Sequence, residues 1–419
     1  MKVKIIIALV LLSVGPLYIT VTDHLEEKKR EEISRVKNYV RGSVSHVITN
    51  ETKIPESLVY DDKKIDLDFT INQNLQKRLE KILKRYPSDY SAVVIMDNST
   101  GNLLAFAGID RNSREINYRL PFTSTHPSAS LFKIVTTADL LENGDIDPST
   151  KFSYRGRGTT LYKYQLKNKI SRWTRWISFK KAFAYSNNVI FGKAAINKTN
   201  GQSIFKTAFK FGFNKELMND FNLGPSQFIM PESQYQLAEL ASGFNKKTVI
   251  SPVHAAAIAS VVANNGILKN PKIIKSVQMG EQSIDYKDTK KQILKKATSA
   301  DLAKMMEYTT QRGTARAVTR GRIGRTIKKH FVVGAKTGSI TGGTPYGKRD
   351  WMALYAKPSE ESKFKDLTKN GISIAIMNVN GKKWYYKSSF IAKKVIEAYM
   401  DSLEDELKEV NKRLVTKGS

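Results

Sequence analysis

The chain contains no cysteine. No disulfide, thiolate metal site or cysteine nucleophile can be built from it. The absence fits either redox compartment and leans towards export without oxidative folding. Histidine is scarce, five in 419 residues, and none has a metal-ligand spacing such as His-Glu-x-x-His. Acid is short as well: 39 Asp and Glu stand against 69 Lys and Arg, a formal net charge of +30. That imbalance predicts attraction to an anionic partner: nucleic acid, an acidic membrane or an acidic polymer.

What is present begins with Lys2 and Lys4, followed by an apolar run from Ile5 to Val21. Such a helix is near the short limit for crossing a bilayer core of roughly 30 Å. Residues 1–22 read as a retained signal anchor, a single transmembrane helix. A small-x-small site at Ser13 and Gly15 is followed by Pro16, where cleavage is disfavoured. Lys28, Lys29, Arg30 and Arg35 lie just beyond the run, and the positive-inside rule does not favour an outward domain. Residues 23–66 read as a stalk and linker. Within it Ile33, Val36 and Val40 recur at helical spacing, and "NETKIPESLVYDDKK" looks like connecting chain.

Order is expected from about Leu67. "SAVVIMDNSTGNLLAFAGI" predicts a hairpin, with Gly101 supplying positive φ in the turn. Helices follow, Pro252 suiting a first turn and Gly266 a stop. Three strand candidates, "HFVVGAKTGSI", "DWMALYAK" and "GISIAIMNVN", precede a long closing helix. Strands at both ends with helices between predict an α+β fold. One large domain is expected over 67–400, with residues 401–419 as helix end and tail.

Ser-x-x-Lys occurs at Ser34, Ser130, Ser178, Ser203 and Ser362, so the pattern alone says little. Ser130 differs by its surroundings. A helix starting near Ala129 would place it among unpaired backbone N–H groups at the positive end of the dipole. Lys133 returns to the same face one turn on. It can act as a base if burial or a neighbouring cation depresses its pKa. Ser186-Asn187-Asn188 forms a polar turn between apolar helical segments, and Lys336-Thr337-Gly338 interrupts a buried strand. A lysine there is unfavourable unless it serves something, and Gly338 admits close approach by another backbone.

In that order, the three segments form the serine–lysine set of penicillin-binding proteins and class A β-lactamases. From about Leu67 to Met400 the chain resembles the transpeptidase domain of the penicillin-binding proteins. "VVIMDNSTGNLLAFA", "SPVHAAAIASVVANNGILKNPKII", "RGTARAV" and "RDWMALYA" also sit where similar family segments sit. The resemblance implies a mostly antiparallel sheet flanked by helices, plus an all-helical lobe. It implies a peptidoglycan D,D-transpeptidase working through a Ser130 acyl-enzyme. Lys133 would accept the proton of Ser130 and Ser186 would relay it. Asn188 would hold the substrate amide. Lys336 would set a positive field, and Thr337 would bind the terminal carboxylate beside Gly338. Backbone N–H groups of Ser130 and Ser339 would form the oxyanion hole. No cofactor and no metal are implied. The implied partners are stem peptides, β-lactams, the membrane through the N-terminal helix and a separate glycosyltransferase, since residues 22–66 leave no room for one. The implied location is the bacterial cytoplasmic membrane, with the domain on the outer side.

The departures are Ser339, where many members carry threonine, and Ser128-Ala129 before the serine, where Pro-Gly is usual. Hydrolysis competes with transfer: a carboxypeptidase carries the same motifs. For a β-lactamase, Glu216, Glu232 and Glu239 fall in the right interval, but none in a Glu-x-x-Leu-Asn setting. A silent penicillin-binding scaffold is a further alternative. The basic, aromatic stretch from Tyr154 to Lys181 resembles a single-strand nucleic-acid binder, although a nucleic-acid partner is not expected for an outward-facing domain. His126 reads as a loop or cap residue.

Overall fold

The structure is a computed structural model that describes the backbone of residues 2–417 and the side chains of 23–24 and 26–413. The expected anchor, residues 1–22, lies outside the described side chains. Among the described residues no helix is long and apolar enough to cross a membrane.

Helix α1 (Lys2–His46) opens the chain. The expectation of a stalk and linker over 23–66 is corrected here. Val36, Val40 and Val44, four residues apart on one helix face, are completely buried, as is Ile48. The Tyr39 hydroxyl donates to the Val59 carbonyl at 2.6 Å, and the Asn222 N–H donates to Ser45 Oγ at 2.7 Å. The supposed linker is a hairpin, β1 (Ser57–Tyr60) and β2 (Lys63–Phe69). Its two-residue turn is Asp61-Asp62, both at positive φ (46° and 59°). Aspartate tolerates that region, and the lack of a glycine hid the turn in the sequence.

Helix α2 (Gln73–Arg85) is capped by Asn72, whose side chain accepts from the Leu75 N–H. Strands β3 (Tyr90–Asp97), β4 (Leu103–Asp110) and β5 (Ile116–Asn117) follow. The helical lobe contains α3 (Lys133–Asn143), α4 (Asn188–Lys198), α5 (Gly201–Phe211) and α6 (Gln234–Ser242). Next come α7 (Pro252–Ala263), β6 (Ile274–Met279), β7 (Gln282–Asp285) and α8 (Lys296–Gln311). The chain closes with β8 (Phe331–Gly342), β9 (Gly347–Pro358), β10 (Ile372–Asn380) and α9 (Ser388–Lys417).

The fold is α+β. The main sheet has the order β8-β9-β10-β3-β4-β5, every neighbouring pair antiparallel. Strand alternation splits β3 between two cores. Val94 and Met96 share one with α7, whereas Val93 and Ile95 share the other with Leu75 and Leu79 of α2 and Ile391 and Val395 of α9. Helix α7 is buried on every side; its alanines let it lie against β9, β10 and β3. The hairpin β1-β2 joins β6 and β7 in a separate four-stranded sheet. Strand β8 is an edge of the main sheet, so one of its two hydrogen-bonding edges faces the helical lobe.

Candidate active site

The site forms where that free edge meets the entry to α3. The expected helix start near Ala129 is a 3-10 turn, Ala129–Phe132, and the α-helix begins at Lys133. Ser130 therefore sits in the tighter turn that feeds the helix. Ala129 has φ +49°, in the left-handed region that costs an L-residue about 1–2 kcal/mol. Two glycines allow other backbone segments to approach this turn closely. A Cβ on Gly243 would lie within bonding range of the Ala129 carbonyl, and one on Gly338 would come 3.2 Å from the Ser130 nitrogen.

Lys133 is completely buried. Its Nζ lies 2.9 Å from Ser130 Oγ, 2.7 Å from Asn188 Oδ1 and in hydrogen-bond contact with the Ser242 carbonyl. Burial, and then the charge of Lys336, hold its amine well below the usual lysine range. The Asn188 and Ser242 oxygens can only accept. They take two hydrogens of the amine, so that when the amine is neutral its lone pair is left for the serine hydroxyl. Asn188, the first residue of α4, is itself fixed. Its N–H donates to the Gly158 carbonyl at 2.7 Å, and its Nδ2 donates to the Thr159 carbonyl at 2.9 Å.

Ser186 has φ +55°, and Asn187 beside it caps α4 by accepting from the Ile190 N–H. Strain at such positions is a feature of functional sites. The bend brings Ser186 Oγ within 3.0 Å of Lys336 Nζ, which also donates to the Thr337 carbonyl at 2.9 Å. Lys336 is completely buried in mid-strand, and burial lowers its pKa to about 7. The Thr337 and Thr314 hydroxyls are 2.6 Å apart. Ser130, Ser186, Asn188, Thr337, Gly338 and Ser339 line one cavity of about 320 Å³. The two lysines do not line it, being buried behind it.

Sequence reasoning missed the Ser242 carbonyl, Gly243, Thr314 and the Gly158 and Thr159 carbonyls. Gly243 was readable as a left-handed helix stop after "ELAS", and its φ is +65°. Its approach to Ser130 is tertiary and left no local signal. Asp350, Trp384 and Lys387 at the far end of the cavity were also missed. Asp350 accepts from the Ser388 N–H at 2.6 Å, capping α9, and burial raises its pKa. His126 is corrected: it is completely buried, pairs with Ile250 in a short bridge and lies with Nδ1 3.2 Å from Arg349 Nη2. Among the described residues no cluster of three His, Asp or Glu could hold a metal.

Residues 91–401 match the family model described as the penicillin-binding protein transpeptidase domain. The chain belongs to that family. Among curated relatives it is 27% identical over 246 residues to penicillin-binding protein 2A of Bacillus subtilis (strain 168). That match covers 51% of this chain and 34% of the relative, so the chain spans about a third of its length. Solved transpeptidase folds are also similar. The D,D-transpeptidase domain of a peptidoglycan glycosyltransferase from Eggerthella lenta has a TM-score of 0.62 and 22% identity, covering 81% of this chain and 83% of that one. Penicillin-binding protein A from M. tuberculosis, as a penicillin G acyl-enzyme complex, has a TM-score of 0.60 and 18% identity, covering 80% and 81%. At those identities the two structures carry the fold alone. Membership of the penicillin-binding transpeptidases implies acyl transfer or hydrolysis through a serine ester.

Proposed function

We propose that this chain is a peptidoglycan D,D-transpeptidase with Ser130 as nucleophile. The observation that carries the reading is the set of contacts at Lys133 Nζ, a buried amine with two fixed acceptors and the Ser130 hydroxyl at 2.9 Å. Ser130 Oγ attacks the carbonyl carbon of the penultimate D-alanine, and its proton passes to Lys133. The C–N bond breaks and the leaving D-alanine takes a proton relayed through Ser186. An amine from a second stem peptide then attacks the ester, returning Ser130 to its hydroxyl form. Lys336 supplies positive charge, and Thr337 hydrogen-bonds the terminal carboxylate. Asn188 has a second Nδ2 hydrogen for the substrate amide. Backbone N–H groups at Ser130 and on the β8 edge at Ser339 stabilise the oxyanion, each worth about 2.7–4 kcal/mol.

Two facts support transfer or slow hydrolysis over a β-lactamase. Glu216 is tied to Arg41 at 2.6 Å, and Glu232 and Glu239 line a different cavity. Neither arrangement gives the ester a carboxylate base. Penicillin binding is part of the same reading. The apolar run from Ile5 to Val21 supports a domain held at a membrane, and a peptidoglycan substrate would put that domain at the outer face of the bacterial cytoplasmic membrane.

The test supplies a pentapeptide ending in D-Ala-D-Ala together with a labelled D-amino acid. Exchange of the label into peptide at a rate comparable to or above hydrolysis supports transpeptidation. Hydrolysis alone, at any acceptor concentration, makes the enzyme a carboxypeptidase.

A further inference from the structure

Between Lys151 and Lys181 the chain carries ten lysines and arginines and no aspartate or glutamate. The segment folds as a hairpin: Lys151–Tyr154 and Arg175–Ser178 pair as antiparallel strands, with Tyr154 opposite Arg175. None of the ten cations joins an ion pair among the described residues. Arg155, Arg172 and Arg175 line one groove of about 620 Å³, and no carboxylate lines it. Arg155 donates to the Tyr164 carbonyl at 3.1 Å and Arg175 to that of Gly156, while the Arg172 guanidinium lies 4.9 Å from the Trp173 ring centre. These contacts place the side chains and neutralise none of their charge.

The same hairpin exposes large apolar side chains. Ile170 is 72% exposed, Trp173 69% and Trp176 56%, all within residues 170–176. Tyr162 and Tyr164 are exposed as well, their rings stacked with centroids 5.9 Å apart. Scattered singly, such residues need no explanation; gathered on one hairpin and ringed by charge, they mark an interaction surface.

We propose that this hairpin rests on the surface of an anionic phospholipid bilayer, as a contact separate from the apolar run at the N-terminus. The groove takes a headgroup phosphate between its guanidinium groups. The tryptophan and tyrosine rings lie at headgroup level, where one end of the ring is covered and the other is wet, and Ile170 reaches the acyl carbons. Lys163, Lys167 and Lys169 add attraction within a Debye length of the surface. It is the combination that selects the occupant. A nucleic acid or another polar polyanion would satisfy the cations and leave Ile170 in water. An apolar protein face would cover Ile170 and the tryptophans but bury the cations without partners. A bilayer offers phosphate and hydrocarbon at adjoining depths. The contact is independent of the chemistry at Ser130.

The test reconstitutes the full chain into phosphatidylcholine vesicles, with and without phosphatidylglycerol, and follows quenching of tryptophan fluorescence by brominated acyl chains. Residues 1–22 contain no tryptophan, so insertion of the apolar run does not itself quench. Quenching is expected to be stronger with phosphatidylglycerol and to weaken as salt is raised. Changing Trp173→Phe and Trp176→Phe together is expected to remove the increment. A basic side chain near an anionic bilayer contributes about fivefold to binding. Arg155→Gln, Arg172→Gln and Arg175→Gln combined are therefore expected to shift the hairpin off the surface by roughly a hundredfold, leaving the quenching seen in phosphatidylcholine alone. Both sets of variants are expected to keep the wild-type thermal midpoint and circular dichroism, which shows that they fold. Equal quenching with and without phosphatidylglycerol overturns the proposal, as does an increment that survives the loss of both tryptophans or of the three arginines. A single-stranded oligonucleotide that binds the lipid-free chain, strips the hairpin from phosphatidylglycerol vesicles and loses its affinity in the triple arginine variant overturns it in favour of nucleic acid.

Discussion

Lys336 stands in the middle of a buried strand with no carboxylate paired to it among the described residues. Its folded pKa is about 7 against an ordinary 10.5. Below about 7 both folded and unfolded chains hold the proton, and the full cost of burying the charge is felt. From about 7 to 10.5 the unfolded chain binds more protons, so this residue's contribution to stability rises with pH. Lys336→Met is therefore expected to stabilise the protein by about 1–3 kcal/mol at pH 7, with a smaller gain at pH 9, in thermal melts at the two values. The same change is expected to lower the acylation rate by about 10²-fold, a trade of activity for stability. In the wild type, burial and then the charge of Lys336 lower the pKa of Lys133. Acylation by a carboxylate-bearing β-lactam should fall as pH rises through about 7, where Lys336 loses its charge. A flat profile from pH 6 to 9 would remove Lys336 from the chemistry. Ala129 belongs to the same scale. Glycine takes φ +49° without penalty, so Ala129→Gly is expected to leave stability unchanged or raise it by up to about 1 kcal/mol, measured in urea.

At the scale of elements, the site is a meeting of the 3-10 turn before α3, the end of α6 and the edge strand β8. Gly243 is the tightest point, since a Cβ there collides with the Ala129 carbonyl. Gly243→Ala is expected to displace Ser130 and cut acylation by about 10²-fold or more, the usual result of a misplacement near 1 Å. Retention of the wild-type rate would mean that the turn is not held as described. The sequence revealed the three motifs because each breaks a local rule: a lysine in an apolar strand, a polar turn between apolar helices, a serine ahead of a helical lysine. It did not reveal Gly243, Ser242 or Thr314, whose local readings are complete without the site. Helix α1 shows the same limit. The period of Ile33, Val36 and Val40 was legible, but it resembled a free amphipathic stalk because nothing local says what the apolar face meets. Val40→Ala is expected to cost about 1–3 kcal/mol in chemical unfolding; a change near zero would undo the claim that this end of α1 belongs to the core.

Across the whole molecule, composition carries the expectation of an anionic partner, and the α+β order of elements followed from hydrophobic periods. The four-stranded sheet around β2 was not legible, because its turn lacks glycine and its strands are half exposed. The positive charge is not uniform in placement: part of it lies in a basic, aromatic hairpin at the surface, and part, Lys133 and Lys336, is buried beside Ser130 and Ser186. The proposed function depends on Ser130 being made reactive by Lys133. Intact-mass measurement after penicillin treatment tests that directly. One added drug mass, mapped to the peptide containing Ser130, kept for minutes or longer and absent from Ser130→Ala, is the expected result. A folded wild type that takes up no drug, or an alanine variant labelled equally, would contradict it.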